Sequence, residues 1–187
     1  MTFEILKPET YKKAQWRGGT TTELYIFPEG SSLQNLDFQF RISTATVEVE
    51  ESTFTVFQGV SRIILPLKGT MTLVHDNGQP KRLKPFEQDV FSGESLTKCY
   101  GKVTDFNLMK RGSEQGTIEI IQLTVGEEIK LKLLNSVIYC FSGQLLFDNL
   151  LFSSHETLLN NTTEENTFAM KAITQSVLIK VDINSGT

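Results

Sequence analysis

Short alternating runs dominate this 187-residue chain, and few windows carry an i, i+3, i+4 apolar stripe with helix caps. Pro28-Glu29-Gly30, Lys68-Gly69, Asp76-Asn77-Gly78, Ser92-Gly93, Arg111-Gly112 and Ser142-Gly143 separate runs of alternating apolar residues. Such runs are read at Thr20–Phe27, Phe38–Glu48, Ile63–Leu67, Thr70–His75, Val103–Met109, Ile118–Val125, Val137–Phe141, Leu145–Phe147, Phe168–Ile173 and Ser176–Ile183. A side-chain period of two, broken by closely spaced turns, predicts an all-β sandwich or barrel. Only Glu4–Trp16 reads as a short helix or turn, opened by Pro8-Glu9-Thr10. Asn77-Gly78 predicts a type I′ hairpin turn, whose two central residues need positive φ.

An internal repeat is also legible. LPLKGTMTLVHDNG (Leu65–Gly78) parallels IYCFSGQLLFDN (Ile138–Asn149): an apolar strand, a polar-Gly turn, then a second apolar strand ending in Asp-Asn. Gly69 and Gly143 mark equivalent turns. The repeat predicts two similar β-barrels, residues 1–112 and 113–187, the first with extra N-terminal strands, joined by a linker at Arg111–Gly116. The alternative is a generic likeness between two hairpins.

Composition narrows the partners. Eighteen basic residues against 22 acidic ones give a net charge of -4, and no Lys/Arg cluster offers a surface for a nucleic-acid backbone. The longest apolar runs, such as Ile63–Leu67, are too short to span a bilayer. The first residues lack the layout of a secretion signal. Two cysteines without a C-x-x-C make no disulfide framework. The expectation is a soluble cytoplasmic protein whose 13 phenylalanines fill a substantial core.

The strand Phe38–Glu48 carries the first chemical signal. Alternation puts Phe38, Phe40 and Ile42 on one face and Arg41, Ser43, Ala45 and Val47 on the other. A guanidinium on a largely aliphatic face needs either a carboxylate or a wet cavity holding an anion. In Asp105-Phe106-Asn107-Leu108-Met109, the Asp, Asn and Met project together. Polar residues of this kind are poor strand formers and stay in strands when hydrogen bonded. They line either a polar lumen with Arg41 or a solvated strand face. In Thr20–Phe27, Glu23 shares a face with Thr21, Tyr25 and Phe27, and Thr22 faces the other way. Gly18-Gly19 permits a close backbone approach, but no P-loop lysine or helix follows. Trp16 either stacks on a ligand or plugs a barrel end.

Metal and nucleophilic chemistry find little basis. His75 and His155 are the two histidines, at unequal offsets after the matching turns, whereas a catalytic metal site generally takes three protein ligands. His75 reads as a satisfied barrel-rim histidine. No G-x-S-x-G elbow is present, and neither cysteine has a local base. The expectation is a protein without metal or other cofactor.

Several segments together resemble one family. WRGGTTTEL (Trp16–Leu24), FRIS (Phe40–Ser43), FTVFQGVSR (Phe54–Arg62), LKPFEQDVFSGE (Leu83–Glu94) and above all DFNLM (Asp105–Met109) are similar to the HutD/Ves family, in its order and at about its spacing. The resemblance covers nearly the first two thirds of the chain. It implies a bicupin, two RmlC-like double-stranded β-barrels in one chain. It also implies a ligand pocket in the first barrel, formed by Trp16, Arg17, Thr22, Glu23, Arg41, Ser43, Arg62, Asp105, Asn107 and Met109. The family is associated with histidine-utilisation operons or with cold and stress response. Its proposed ligands are small metabolites such as urocanate or formyl- or formimino-glutamate. This chain departs from the family in the Trp16–Thr20 loop, which lacks an asparagine and is about two residues shorter.

The resulting expectation is metal-independent binding of an anionic or amide-bearing metabolite. Arg41 would grip a carboxylate, Asp105, Asn107 and Thr22 would orient the rest, and Glu23 would balance charge in the empty pocket. Two alternatives stand beside it. One is a cupin-type isomerase or hydrolase using Glu23 or Asp105 as general acid or base. The other is a regulatory interaction module, with the second barrel as the surface of a homodimer or of another partner.

Overall fold

The structure, a computed structural model, describes residues 3–160 and 166–184. In chain order the strands are β1 (Phe3–Leu6), β2 (Lys12–Trp16), β3 (Gly19–Phe27), β4 (Phe40–Val47), β5 (Glu51–Thr53), β6 (Val60–Gly69) and β7 (Met71–His75). They continue as β8 (Lys81–Leu83), β9 (Asp89–Ser92), β10 (Thr97–Tyr100), β11 (Val103–Arg111), β12 (Gln115–Leu123) and β13 (Glu128–Leu133). The last are β14 (Ser136–Ser142), β15 (Gln144–Phe147), β16 (Leu150–Ser153), β17 (Thr157–Asn160), β18 (Asn166–Ala172) and β19 (Ser176–Asn184). Among the described residues no helix is long and apolar enough to cross a membrane.

The strands form two compact units. One, Tyr11–Glu114, holds a six-stranded sheet ordered β2-β3-β4-β11-β6-β9 and a four-stranded sheet ordered β5-β10-β7-β8. Val47, Ile64, Met71, Leu73, Leu83, Cys99 and Val103 pack together as its core. The other unit runs from Gln115 onward and includes the chain up to Thr10. Its sheets are β1-β17-β14-β19-β12 and β13-β18-β15-β16, around a core that includes Ile138, Leu145, Phe147, Phe152, Leu158 and Leu178.

The N-terminus therefore departs from the sequence expectation, which kept residues 1–112 together. β1 pairs antiparallel with β17, Phe3 opposite Asn160 and Leu6 opposite Thr157. Phe3 lies edge-on to Phe147 with ring centroids 4.6 Å apart. Burial of that ring draws the segment to the second unit, through a pairing of high sequence separation that local patterning does not encode. The expected helix or turn over Glu4–Trp16 reduces to one 3-10 turn at Pro8–Thr10 between two strands.

The repeat has a geometric counterpart. Gly69 and Gly143 both take positive φ (86° and 97°) where the chain leaves one sheet for the other. A Cβ on Gly69 would meet the Lys102 carbonyl oxygen at 2.7 Å, and one on Gly143 the Gln175 carbonyl oxygen at 2.5 Å. The hairpin signal is displaced by one residue. Asp76 and Asn77, not Asn77 and Gly78, take the positive φ values, and the Gly78 amide donates to the His75 carbonyl at 2.7 Å. Asp148 and Asn149 likewise take positive φ in the second unit. Asp and Asn tolerate this conformation better than other residues with a Cβ.

One irregularity re-aims a strand. Between Glu23 and Tyr25 the β3–β4 register shifts, so that Glu23 opposes Ser43 whereas Tyr25 opposes Ile42. A one-residue bulge exchanges the faces of everything beyond it. Thr21 and Glu23 therefore share the Arg41 side with Ile26. Tyr25 and Phe27 turn to the other side, beside Phe40 at ring-centroid distances of 5.7 and 5.5 Å. The sequence expectation of one face for Thr21, Glu23, Tyr25 and Phe27 is corrected accordingly. Phe38 lies ahead of β4 and packs with Ile26, Val60 and Met109, away from the face expected for it.

Candidate functional site

Register alone assembles most of the candidate residues. β11 lies between β4 and β6, and antiparallel partners project to the same face. Met109 has Arg41 on one side and Arg62 on the other; Asn107 has Ser43 and Ile64; Asp105 has Ala45 and Pro66. Arg62 in turn opposes Phe91 on β9. A second register shift, between Thr104 and Asp105, falls where Pro66 supplies no amide to the ladder. These rows form the floor of a pocket of about 190 Å³ within the Tyr11–Glu114 unit. Its rim is made by Trp16, Thr21 and Leu33 together with the segment from Ser52 to Phe57.

The two arginines are buried to the same degree, each 5% exposed, but they are satisfied differently. Arg41 Nε donates to Glu23 Oε2 at 2.7 Å, and Arg41 Nη1 donates to Ser43 Oγ at 3.0 Å. The fork expected to meet a ligand is thus engaged by the protein, and Glu23 is the carboxylate that engages it. Arg62 lies between aromatic rings instead, its guanidinium carbon 4.7 Å from the Phe54 centroid and 5.1 Å from that of Phe91. Ring faces are negative and hold a cation without using its hydrogen atoms. Arg62 Nε is buried with no hydrogen-bond partner, and so is Asn107 Oδ1.

Asp105 is 3% exposed. Burial pushes its carboxyl up to about 7, against the lowering effect of the Arg62 charge. Burial likewise brings Arg62 down to about 10, with Asp105 opposing that fall and Arg41 adding to it. The Cys99 thiol, driven by burial and then by the Asp105 charge, rises to about 12 and stays protonated. The floor therefore combines an orphan donor, an orphan acceptor and a carboxyl poised near neutrality.

Of the residues singled out from sequence, Trp16, Arg41, Ser43, Arg62, Asp105, Asn107 and Met109 line this pocket. Glu23 reaches it through Arg41. Two residues are not brought in. Thr22 opposes Thr44, out of phase with the lining residues, and Arg17 is exposed in the turn between β2 and β3. Phe54 and Phe57 join the site although sequence reasoning does not place them there. Both sit beyond the short strand β5 in a segment without strand alternation, so the one signal is the position of Phe54 in a motif that ends on Arg62.

Gly18 and Gly19 serve packing. A Cβ on Gly18 would lie 2.2 Å from the Trp16 ring, and one on Gly19 would lie 1.9 Å from the Thr46 carbonyl oxygen. The ring of Trp16, 41% exposed, thus lies against the Gly18 backbone. His75 is satisfied at the end of β7 in the other sheet: its Nδ1 is 2.8 Å from Thr97 Oγ1 and its Nε2 2.8 Å from Asp89 Oδ2. Burial favours a protonated Asp89 carboxyl, but Lys81 and His75 outweigh it and hold the group below its usual range.

The HutD family model matches residues 8–178 of this chain. An uncharacterised 21.2 kDa protein in the hutC 3′ region of Pseudomonas putida is 37% identical over 112 residues, which is 57% of each chain. Among solved structures, a conserved protein of unknown function from Pseudomonas aeruginosa PAO1 superposes with a TM-score of 0.84 at 22% identity, covering 98% of this chain and 99% of its own. HutD from Pseudomonas fluorescens SBW25 gives 0.76 at 19% identity, covering 99% and 100%. A bacterial pirin from Escherichia coli, in complex with nickel(II), gives 0.73 at 10% identity, covering 96% and 98%. These structures share the fold, a bicupin of two RmlC-like units. The pocket of this chain does not fit a divalent cation: two guanidiniums line it with one carboxylate, and no group of three His, Cys, Asp or Glu side chains among the described residues is placed to hold a metal.

Proposed function

This chain belongs to the HutD family, and from that membership we propose that its Tyr11–Glu114 unit binds a small anionic or amide-bearing metabolite without a metal. The observation that carries this reading is the pair of buried, unpartnered atoms in the pocket floor, Arg62 Nε and Asn107 Oδ1. Leaving such groups unpaired costs about 1–3 kcal/mol each. A guest that brings an anionic acceptor to Arg62 and an N–H donor to Asn107 removes both penalties at once. Charge-assisted bonds to a desolvated guanidinium are the stronger of the two. Arg41, neutralised by Glu23, gives the floor its shape.

Histidine-degradation intermediates with both features, N-formyl-L-glutamate first and urocanate second, are the guests to test. We expect either anion to raise the Tm of the wild-type protein and to give binding heat by calorimetry, and Arg62→Met to lose both effects while remaining folded. No shift and no heat with either anion would overturn the reading.

The poised Asp105 carboxyl supports a second reading, a cupin-type enzyme with Asp105 as general acid or base. Chemical conversion of a bound metabolite that stops in Asp105→Asn, with binding retained, would favour it over binding alone.

A further inference from the structure

We infer that Asp105 selects the charge of the guest: an anion enters the pocket only together with a proton, which the Asp105 carboxylate takes from solvent. This rests on the anion-binding reading and adds to it a residue that decides which guests are admitted, and at which pH.

The physical basis is charge balance in a dry place. Asp105 lines the same pocket as Arg62 from β6 and Arg41 from β4, with Glu23 of β3 bonded to Arg41; Arg62 and the neutral Cys99 thiol from β10 are the groups that feel its charge. Arg41 and Glu23 cancel. With Asp105 ionised, it and Arg62 cancel as well, and the empty floor is neutral. Each carboxylate that a guest docks on Arg62 Nε adds one negative charge to the floor beside that of Asp105. One buried anion is then left without a partner, a state that proteins avoid by neutralising the group.

Protonation removes that charge. A proton leaves water or buffer and bonds to a carboxylate oxygen of Asp105; no other bond forms or breaks. The acid form also gains an O–H donor for a guest oxygen, as the anion form cannot. A neutral amide guest needs no such proton. Anions are thus favoured below the pH at which Asp105 ionises, and neutral analogues are indifferent to it. The burial of Asp105 beside Arg62 holds its carboxyl near neutrality, where one guest charge suffices to tip it.

The test is calorimetry on the full chain with N-formyl-L-glutamate, whose two carboxylates titrate far below neutrality and of which one docks on Arg62 Nε, in HEPES and in Tris at pH 8 and at pH 5.5 in two buffers of unlike ionisation enthalpy. The expected result is uptake of close to one proton at pH 8, little at pH 5.5, and an affinity that falls about tenfold per pH unit above neutrality. Asp105→Asn should bind with no proton uptake and no such slope. Should that variant fail to fold, the carboxyl carbon of Asp105 can be followed by NMR in the wild type, where its titration should move to higher pH when the anion is added. Heats that agree between buffers at pH 8, or an Asp105 titration that the anion does not move, would overturn the inference while leaving anion binding intact. Absence of any binding heat at either pH would overturn both.

Discussion

Arg41 and Arg62 flank Met109 in one row of the sheet, equally buried, yet Arg41 is bonded to Glu23 at 2.7 Å and Arg62 Nε to nothing. One guanidinium is part of the scaffold. The other is kept in place by the rings of Phe54 and Phe91. Substitution should separate the two: the scaffold role predicts a loss of stability at Arg41, and the proposed binding role a loss of binding at Arg62.

Arg41→Met should destabilise the protein by about 3 kcal/mol in urea denaturation, because it leaves Glu23 partly buried without its partner. Adding Glu23→Leu should recover most of the loss, since replacing both members of such a pair with apolar groups is far milder than removing one. An Arg41→Met protein as stable as wild type would contradict the scaffold role.

Stability should depend on pH through Asp105. Its carboxyl is held at about 7 in the folded protein, against about 3.9 in an unfolded chain, so the folded state binds the proton more tightly. The contribution is complete below about pH 4 and is lost progressively as pH rises to 7. Asp105→Asn keeps an uncharged group at this position at every pH. It should therefore gain stability relative to wild type as pH is raised from 4 to 8, by a few kcal/mol at most. Parallel stability curves for the two proteins across that range would refute this.

Phe54→Ala should weaken N-formyl-L-glutamate binding roughly fivefold to tenfold, because one ring face contributes about 1 kcal/mol to a partly desolvated guanidinium. Phe54→Tyr keeps the face and should bind as wild type. Titration calorimetry on the three proteins decides it, and equal affinities for all three would remove Phe54 from the site.

Gly18→Ala and Gly19→Ala should differ in kind. The first meets the Trp16 ring, a movable side chain, and should shift the fluorescence of the single tryptophan with a modest loss of stability. The second meets the Thr46 backbone and should lose roughly 2 kcal/mol or more in urea denaturation.

Much of the pocket floor is legible in the sequence because sheets obey a simple rule. Alternation along Phe40–Val47 and Val103–Arg111 groups Arg41 with Ser43, and Asp105 with Asn107 and Met109, and pairing of the two strands makes one surface of both groups. The rule fails where the ladder is irregular. The bulge after Glu23 turns Tyr25 and Phe27 to the opposite face, and the turn expected at Asn77-Gly78 centres on Asp76-Asn77.

The all-β architecture, the two turn-matched halves and the residue types along the pocket floor are written locally, because period-two patterning and glycine turns act over a few residues. Which arginine Glu23 engages, that Phe54 and Phe91 clasp the other, and that β1 joins the distant β17 emerge from the folded chain alone. Those outcomes depend on which side chains compete for the same partner across strands far apart in the chain, and Glu23 can satisfy only the guanidinium that the register brings to it.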